Sequence, residues 1–183
     1  MLSQAWLTRF QEIHTWDIDP WSERLFGWRH GKALRRAGIS WVHHNHDAWL
    51  DPQAWEMSGP DTLYWFDNVL GQLRFVLPLA QARQQVEQLK SRLGRVVWGS
   101  VHDRYSGPLH GSQNTPAPWR SMSGVDLNDT AAQRWLQSWG AEGEWLDHLT
   151  ENVLPPQAGR RLLCWPISRA RLHWVEAGWV APD

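Results

Sequence analysis

The fold of this chain is set by residues 62–101, which read TLYWFDNVLGQLRFVLPLAQARQQVEQLKSRLGRVVWGSV. Residues 62–66 consist mainly of the aromatic and other large residues that favour a pleated strand. Asp67 and Asn68 then predict a turn. Residues 73–77 begin with alternating apolar and polar side chains, which is typical of a half-buried strand. Together the two segments predict a β-hairpin.

An amphipathic helix is predicted to follow this hairpin. Pro78 suits the first turn of a helix, and Gly94 suits its end. Between them, apolar residues recur at spacings of three and four, as on one helical face. These residues are Leu79, Ala82, Val86, Leu89 and Leu93. Residues 95–101 predict a further strand, so residues 39–101 are expected to form a sheet core with one helix.

The N-terminal segment, residues 1–38, is predicted to be helical. A first helix is expected over residues 3–16 with Ser3 as its cap. A second begins at Asp19 and Pro20 and ends at Gly38. Its inner stripe is predicted to contain Trp21, Leu25 and Trp28, with Ala33, Leu34 and Ala37 as further members. Residues 39–44 then predict a strand that leads into the core.

The second half of the chain has a weaker pattern. Residues 103–124 contain several Gly and Pro residues and predict a long loop, which is usually functional or disordered. Residues 125–183 predict helices over 128–140 and 142–153 and a strand over 160–165. A last helix from Pro166 to Gly178 is the main interpretation of the end, with a strand over 171–175 as the alternative. The predicted fold is a single α+β domain with a mixed or antiparallel sheet of about five strands and helices mainly on one face.

Composition narrows the functional classes. The chain has 183 residues, of which 42% are hydrophobic, and this predicts one globular domain. Cys164 is the only cysteine, so a disulfide within the chain and a cysteine metal cage are both excluded. No apolar run approaches the ~20 residues of a membrane helix, and no secretory signal is visible. We therefore expect a cytoplasmic protein without a membrane partner.

Charge and tryptophan are distributed unevenly. The net charge is −1, but the segment from Arg24 to Arg36 is basic, and the charged residues within 121–151 are acidic except for Arg134. Two interpretations are open: two solvated faces, or two surfaces that pair with each other. The chain also contains 16 Trp residues. Hiding all of them in a core of this size would be difficult, so some are expected at the surface.

Histidines cluster in the segment HHNHD, residues 43–47. On a strand, His44 and His46 would share one face. Imidazole nitrogens and carboxylates suit transition metals such as Zn. The metal hypothesis therefore takes His44 and His46 as ligands, with Asp47, His102 or Asp103 completing the site of a metal-dependent hydrolase or related metalloenzyme. The alternative is that these are surface histidines and turn aspartates that need no cofactor.

The leading interpretation of function is a non-enzymatic protein-binding module, such as a regulator, adaptor or immunity-type partner. Trp is enriched among residues that dominate binding energy. The candidate contact residues lie in the long loop and the acidic segment: Trp119, Trp135, Trp139 and Trp145. A third hypothesis is single-stranded nucleic-acid binding through the basic segment from Arg24 to Arg36, with Trp21, Trp28 and Trp41 nearby. The near-neutral net charge argues against it.

Overall fold

The computed structural model describes residues 2–56, 59, 61–94, 96–108, 145–168 and 170–181. The chain divides after Gly59 into two compact units. Each unit has its own sheet, one of two strands and one of five. Helices and a mixed sheet confirm the predicted α+β class. Among the residues described, no helix has the length and apolar character needed to cross a membrane.

The first unit is a small β-α-β arrangement with one short helix on either side in sequence. Its elements are α1 (Gln4–Leu7), β1 (Glu12–Trp16), α2 (Ser22–Arg36), β2 (Ser40–His44) and α3 (Pro52–Glu56). Strands β1 and β2 are parallel. The core of this unit is formed by three buried residues and the aromatic and aliphatic side chains around them. These are Leu7, Leu34 and Ile39, with Leu2, Trp6, Ile13, Phe26 and Trp41.

The helix predicted over residues 3–16 is mostly wrong. Only α1 is helical, and Ser3 caps it as predicted, because its hydroxyl accepts the Trp6 N–H at 3.2 Å. Residues 12–16 form β1 instead. Ile13 and Thr15 are β-branched and favour a strand, and pairing with β2 decides the outcome.

Helix α2 has the predicted end, but only part of its predicted inner face is buried. Gly38 has a φ of +70°, and Ile39 N–H bonds Leu34 C=O at 3.0 Å, which closes the helix in a Schellman motif. The buried positions are His30, Gly31 and Leu34, so Leu34 confirms its part of the predicted stripe. Trp21, Leu25 and Trp28 are exposed, so the first half of that stripe is wrong. Two stripes compete in this helix, and the one that reaches the β2 side chains is buried.

The second unit contains the five-stranded sheet. Its elements are β3 (Leu63–Asp67), α4 (Val69–Val76), α5 (Leu79–Leu93), β4 (Val97–Pro108), β5 (Leu146–Asp147), β6 (Gly159–Ser168) and β7 (Arg171–Val180). The strand order is β3-β4-β7-β6, and β5 pairs with the end of β4. β3 is parallel to β4, and the other pairs are antiparallel. The sheet is therefore mixed, as predicted.

The predicted β-hairpin within residues 62–77 is wrong. β3 is a strand, but residues 73–77 lie mostly in α4, where Leu70, Gly71 and Leu73 are buried. Asn68, with a φ of 59°, turns the chain into this helix. Because β3 and β4 are parallel, the chain must cross over between them, and two helices provide the crossover.

Helix α5 confirms the strongest helical pattern in the sequence. Ala82, Val86, Leu89 and Leu93 are all buried along one face, and Gly94 is the C-cap. Leu79 departs from the prediction because it is exposed at the start of the helix. The local spacing of apolar residues was therefore sufficient for this element.

Strand β4 is longer than predicted. It continues through residues 103–108, which were assigned to a loop, because β7 pairs with it from Trp98 to Pro108. The register shifts between Asp103 and Tyr105, as at a β-bulge. The predicted helix over 142–153 is also wrong in its described part, since β5 and turns at Leu149 and Asn152 occupy it.

The chain ends in two antiparallel strands. β6 confirms the strand predicted over residues 160–165. β7 shows that the predicted last helix is wrong and that the alternative strand is right. β7 lies between β4 and β6, so pairing on both sides overrides its helical pattern. The rest of the predicted loop, residues 109–124, and the predicted helix over 128–140 lie outside the described residues.

Candidate functional site

The predicted metal ligand His44 ends β2 and contacts the neighbouring strand β1. His44 Nε2 lies 2.9 Å from His14 Nδ1. The Trp16 ring stacks on His44 with centroids 4.5 Å apart and planes 7° apart. The nearest imidazole partner of His44 is thus on β1, whereas the prediction paired it with His46.

Carboxylates lie around this aromatic group. Glu12 Oε1 lies 3.2 Å from His14 Nε2, and Asp51 accepts a hydrogen bond from the Trp16 indole N–H at 2.9 Å. This hydrogen bond is the main reason that the pKa of Asp51 is lowered. Burial, and then the neighbouring His14, lower the pKa of His44. The group therefore favours a neutral His44 and an ionised Asp51.

The other two predicted ligands of this segment have local roles. Asp47 Oδ1 accepts the Trp49 backbone N–H at 2.9 Å, as in an Asx turn. His46 lies between this turn and β2. Among the described residues, no three His, Cys, Asp or Glu side chains are placed to share a metal ion. Metal binding by His44, His46 and Asp47 stays a prediction.

His102 and Asp103, the predicted distal ligands, lie on β4 in the second unit. His102 is opposite Glu176 of β7, and its Nε2 lies 3.4 Å from Glu176 Oε2. On its other side, His102 Nδ1 lies 2.9 Å from the Ser100 hydroxyl. Arg104 donates to the same Glu176 oxygen at 3.0 Å. The result is a buried polar row across two central strands.

His102 and Arg104 in this row stabilise the ionised form of Glu176. Burial alone would raise its pKa, but the hydrogen bond and charge of His102 and the guanidinium of Arg104 outweigh that effect and lower it. Arg160 lies 3.4 Å from the second oxygen, Oε1. A buried carboxylate is costly unless it is paired in this way.

Asp103 belongs to a second polar group. Its Oδ2 lies 2.9 Å from His173 Nδ1. Nearby, His148 Nδ1 lies 2.9 Å from the Gly71 carbonyl oxygen, and its Nε2 lies 2.9 Å from the Ser106 hydroxyl. Burial is the main cause of the lowered pKa of His148. This group ties α4 and the segment after β5 to the sheet.

A serine, a histidine and a glutamate in hydrogen-bonding sequence suggest nucleophilic chemistry. The burial of these three side chains argues against nucleophilic chemistry at Ser100. Ser100 and His102 are 0% exposed, and Glu176 is 2% exposed. A substrate therefore cannot reach the Ser100 hydroxyl, and the row is best understood as a structural network.

One cavity of about 280 Å³ lies between α5 and the turns after β5. Its lining is mainly acidic and polar: Arg83, Val86, Glu87, Asp147, Leu149, Glu151 and Asn152. Glu87 is already paired with Lys90 at 2.8 Å. The volume lies at the lower limit for small-molecule sites, and only two of the seven lining residues, Val86 and Leu149, are apolar.

The outer face of α2 carries an exposed apolar stripe. Trp21 and Leu25 are each 60% exposed, and Trp28 is 85% exposed. Their spacings of four and three place them in one line along the helix. The opposite side of α2 packs through Leu34 and Phe26 into the core of the first unit. The stripe therefore faces solvent, while the opposite side of α2 packs against the core of the first unit.

Cations surround this stripe. Five of them are exposed on α2: Arg24, Arg29, Lys32, Arg35 and Arg36. The Arg24 guanidinium lies over the Trp21 ring, 5.1 Å from its centroid. The stripe and these cations are hereafter called the outer α2 face.

The predicted contact tryptophans are only partly described. Trp145 precedes β5 and packs over Gly107, where an added Cβ would lie 2.5 Å from its ring. Trp145 is half-buried. Trp119, Trp135 and Trp139 lie outside the described residues. Binding through these four residues stays a prediction.

Sequence reasoning missed His14, Glu176 and the outward direction of the Trp28 stripe. A signal existed for Glu176, because a charged residue within the apolar run LHWVEAGWV implies a buried cation. His14 was missed because a helix is predicted over residues 3–16, whereas residues 12–16 form β1 and pair with β2. Nothing in the spacing distinguishes the two sides of α2.

Comparison with known proteins found no matching family, no similar curated protein and no similar solved structure.

Proposed function

We propose that this protein binds another protein through the outer α2 face. The observation that carries the proposal is the exposure of Trp28, at 85%, in line with Trp21 and Leu25 at 60% each. Scattered single exposed apolar residues are normal on protein surfaces. Two tryptophans and a leucine in one helical line form a contiguous patch, which is more typical of an interaction site.

The physical gain from covering this line supports the proposal. Burying apolar surface contributes about 25 cal/mol per Å², and tryptophan has the largest side chain to bury. Trp and Arg are the residues most enriched where truncation weakens a complex most. A rigid helix also loses little entropy on binding, because α2 is already ordered by its packing against β2.

The test is a pair of alanine variants in the full chain. Trp28→Ala should melt like the natural protein, because the side chain it removes is already in water. It should lose more than about 2 kcal/mol of affinity for the protein that co-purifies from the native host. Calorimetry with that purified partner measures the affinity.

Leu79→Ala is the matched control. Leu79 is also an exposed apolar residue in a helix, 53% exposed, but it lies in the second unit. It should retain the partner with unchanged affinity. The proposal is wrong if Trp28→Ala lowers the melting temperature and keeps the partner, because Trp28 would then stabilise the fold.

A further inference from the structure

Along the outer α2 face, apolar side chains come first and cationic side chains follow. Trp21, Leu25, Trp28, Lys32 and Arg35 follow one another at spacings of four, three, four and three. Such spacings form one line on a helix. The line is apolar in its first half and cationic in its second, and at 1.5 Å per residue it is about 20 Å long.

The cations of this face have no acidic partner within the described part of the chain. None of Arg24, Arg29, Lys32, Arg35 and Arg36 forms an ion pair there. Glu23 is the one acidic residue in α2. The face therefore presents a concentrated positive field on a chain whose net charge is only −1.

We infer, resting on the proposed function, that the partner is a protein that presents an acidic segment with apolar side chains at one end. Its carboxylates would meet Lys32 and Arg35, and its apolar residues would cover Leu25 and Trp28. Charge complementarity of this kind orients a partner and accelerates its association. An amphipathic helix of about four turns matches the length of the line.

Three other occupants fit less well. A second copy in a two-fold arrangement would face this line with the same helix, which has only one acidic residue, Glu23, to meet five cations. Single-stranded nucleic acid binds by stacking bases on free aromatic faces, but the Arg24 guanidinium occupies one face of Trp21. Leu25 and Ile18 are 60% and 69% exposed, and their aliphatic side chains cannot stack on a nucleic-acid base. An anionic membrane surface does not hold apolar and acidic groups at the fixed spacing of the side chains in this line.

The experiment places the photoreactive residue benzoylphenylalanine at Trp28, and separately at Trp21, in the full chain in its native host. The same residue at Leu79 is the control. Cross-linked peptides are sequenced by mass spectrometry. We expect a protein adduct at position 28 whose cross-linked peptide is rich in Asp and Glu. With Lys32→Glu and Arg35→Glu added, its yield should fall at least about tenfold, because like charges would then meet.

The outcomes separate the two proposals. A cross-linked protein peptide without excess acidic residues, or an adduct that survives the charge reversal, overturns the acidic partner and leaves protein binding intact. A nuclease-sensitive adduct, a lipid adduct, an adduct to a second copy of this chain or a cross-link within the chain to its own residues 121–151 overturns both in favour of that occupant. No adduct at either position above the Leu79 control contradicts the proposed function itself.

Discussion

At the scale of single residues, Glu176 shows how this chain tolerates charge in its interior. It is 2% exposed, yet its pKa is lowered because His102 and Arg104 outweigh the effect of burial. The carboxylate is therefore the favoured form in the folded state. Removing it would leave Arg104 without its anion in a place where water cannot replace it.

Glu176→Gln should therefore reduce the free energy of unfolding by about 3 kcal/mol, as removal of one partner of a buried pair does. Urea denaturation at pH 7 measures the change. Glu87→Gln is the matched control, because the Glu87–Lys90 pair is exposed and should contribute less than about 1 kcal/mol. Equal effects of the two substitutions would show that the buried row does not stabilise the fold.

The lowered pKa of Glu176 also gives the sign of its acid dependence. Because the folded-state pKa lies below the ordinary value of 4.5, the contribution of Glu176 is present above pH 4.5 and is lost as the pH falls through the folded-state value. The difference in stability between the natural protein and Glu176→Gln should narrow in that range.

At the scale of elements, a glycine allows two tryptophans to close over the sheet. Trp65 of β3 and Trp179 of β7 flank Gly99 of β4 in register. Their ring centroids are 4.8 Å apart. An added Cβ at Gly99 would lie 2.7 Å from the Trp179 ring and 2.8 Å from the Trp65 ring. The missing side chain is therefore required by the packing of both rings.

Gly99→Ala should reduce the free energy of unfolding by about 1–3 kcal/mol, as overpacking does. Gly159→Ala at the start of β6 is the control. Nothing lies within 4 Å of its added Cβ, so its effect should stay within about 0.5 kcal/mol. Thermal denaturation followed by near-ultraviolet circular dichroism detects both the stability and the tryptophan packing. A Gly99→Ala variant with an unchanged spectrum and melting temperature would contradict this packing.

Elements with strong local signals were predictable from the sequence. Helix α5 has a regular apolar stripe, a proline before it and Gly94 after it, and all of these act within the helix. Residues 73–77 begin with the alternation of a strand, yet residues 73–76 belong to α4. Most residues of β7 lie between Pro166 and Gly178, which resemble helix start and stop signals, yet they form a strand. Pairing with strands distant in sequence decides such segments.

The candidate site was less predictable for a related reason. That some tryptophans must be exposed followed from their number, but which ones depends on the side of α2 that packs. Phe26 and Leu34 reach the core, and Trp28 is therefore turned outward. A helix with two competing stripes does not reveal this choice until its neighbours are known.

At the scale of the whole molecule, both units respond to acid in the same direction. His30 and His44 in the first unit and His148 in the second have lowered pKa values, with burial as the main cause in each. The folded state therefore favours their neutral forms. Protons bind more readily to the unfolded chain, so acidification destabilises the fold.

The free energy of unfolding should therefore fall as the pH decreases from 6.5, the ordinary value for histidine, through the lowered folded-state values. Between pH 7 and 8 these histidines should contribute no change. Urea denaturation at pH 7.5, 6.5 and 5.5 measures the trend, in a range where exposed carboxylates remain ionised. A stability that is constant or rises between pH 7.5 and 5.5 would contradict it.

The strand order of the larger sheet has a consequence for synthesis on the ribosome. β7 lies between β4 and β6, but its residues are made long after those of β4, and 72 positions separate Arg104 from Glu176. At 5–20 residues per second, β4 waits several seconds for this neighbour. Meanwhile the nascent chain carries an open strand edge that can join the edge of another chain. A chain stopped after Ser168 should therefore sediment as aggregates, and sedimentation that matches the full chain would argue against this hazard.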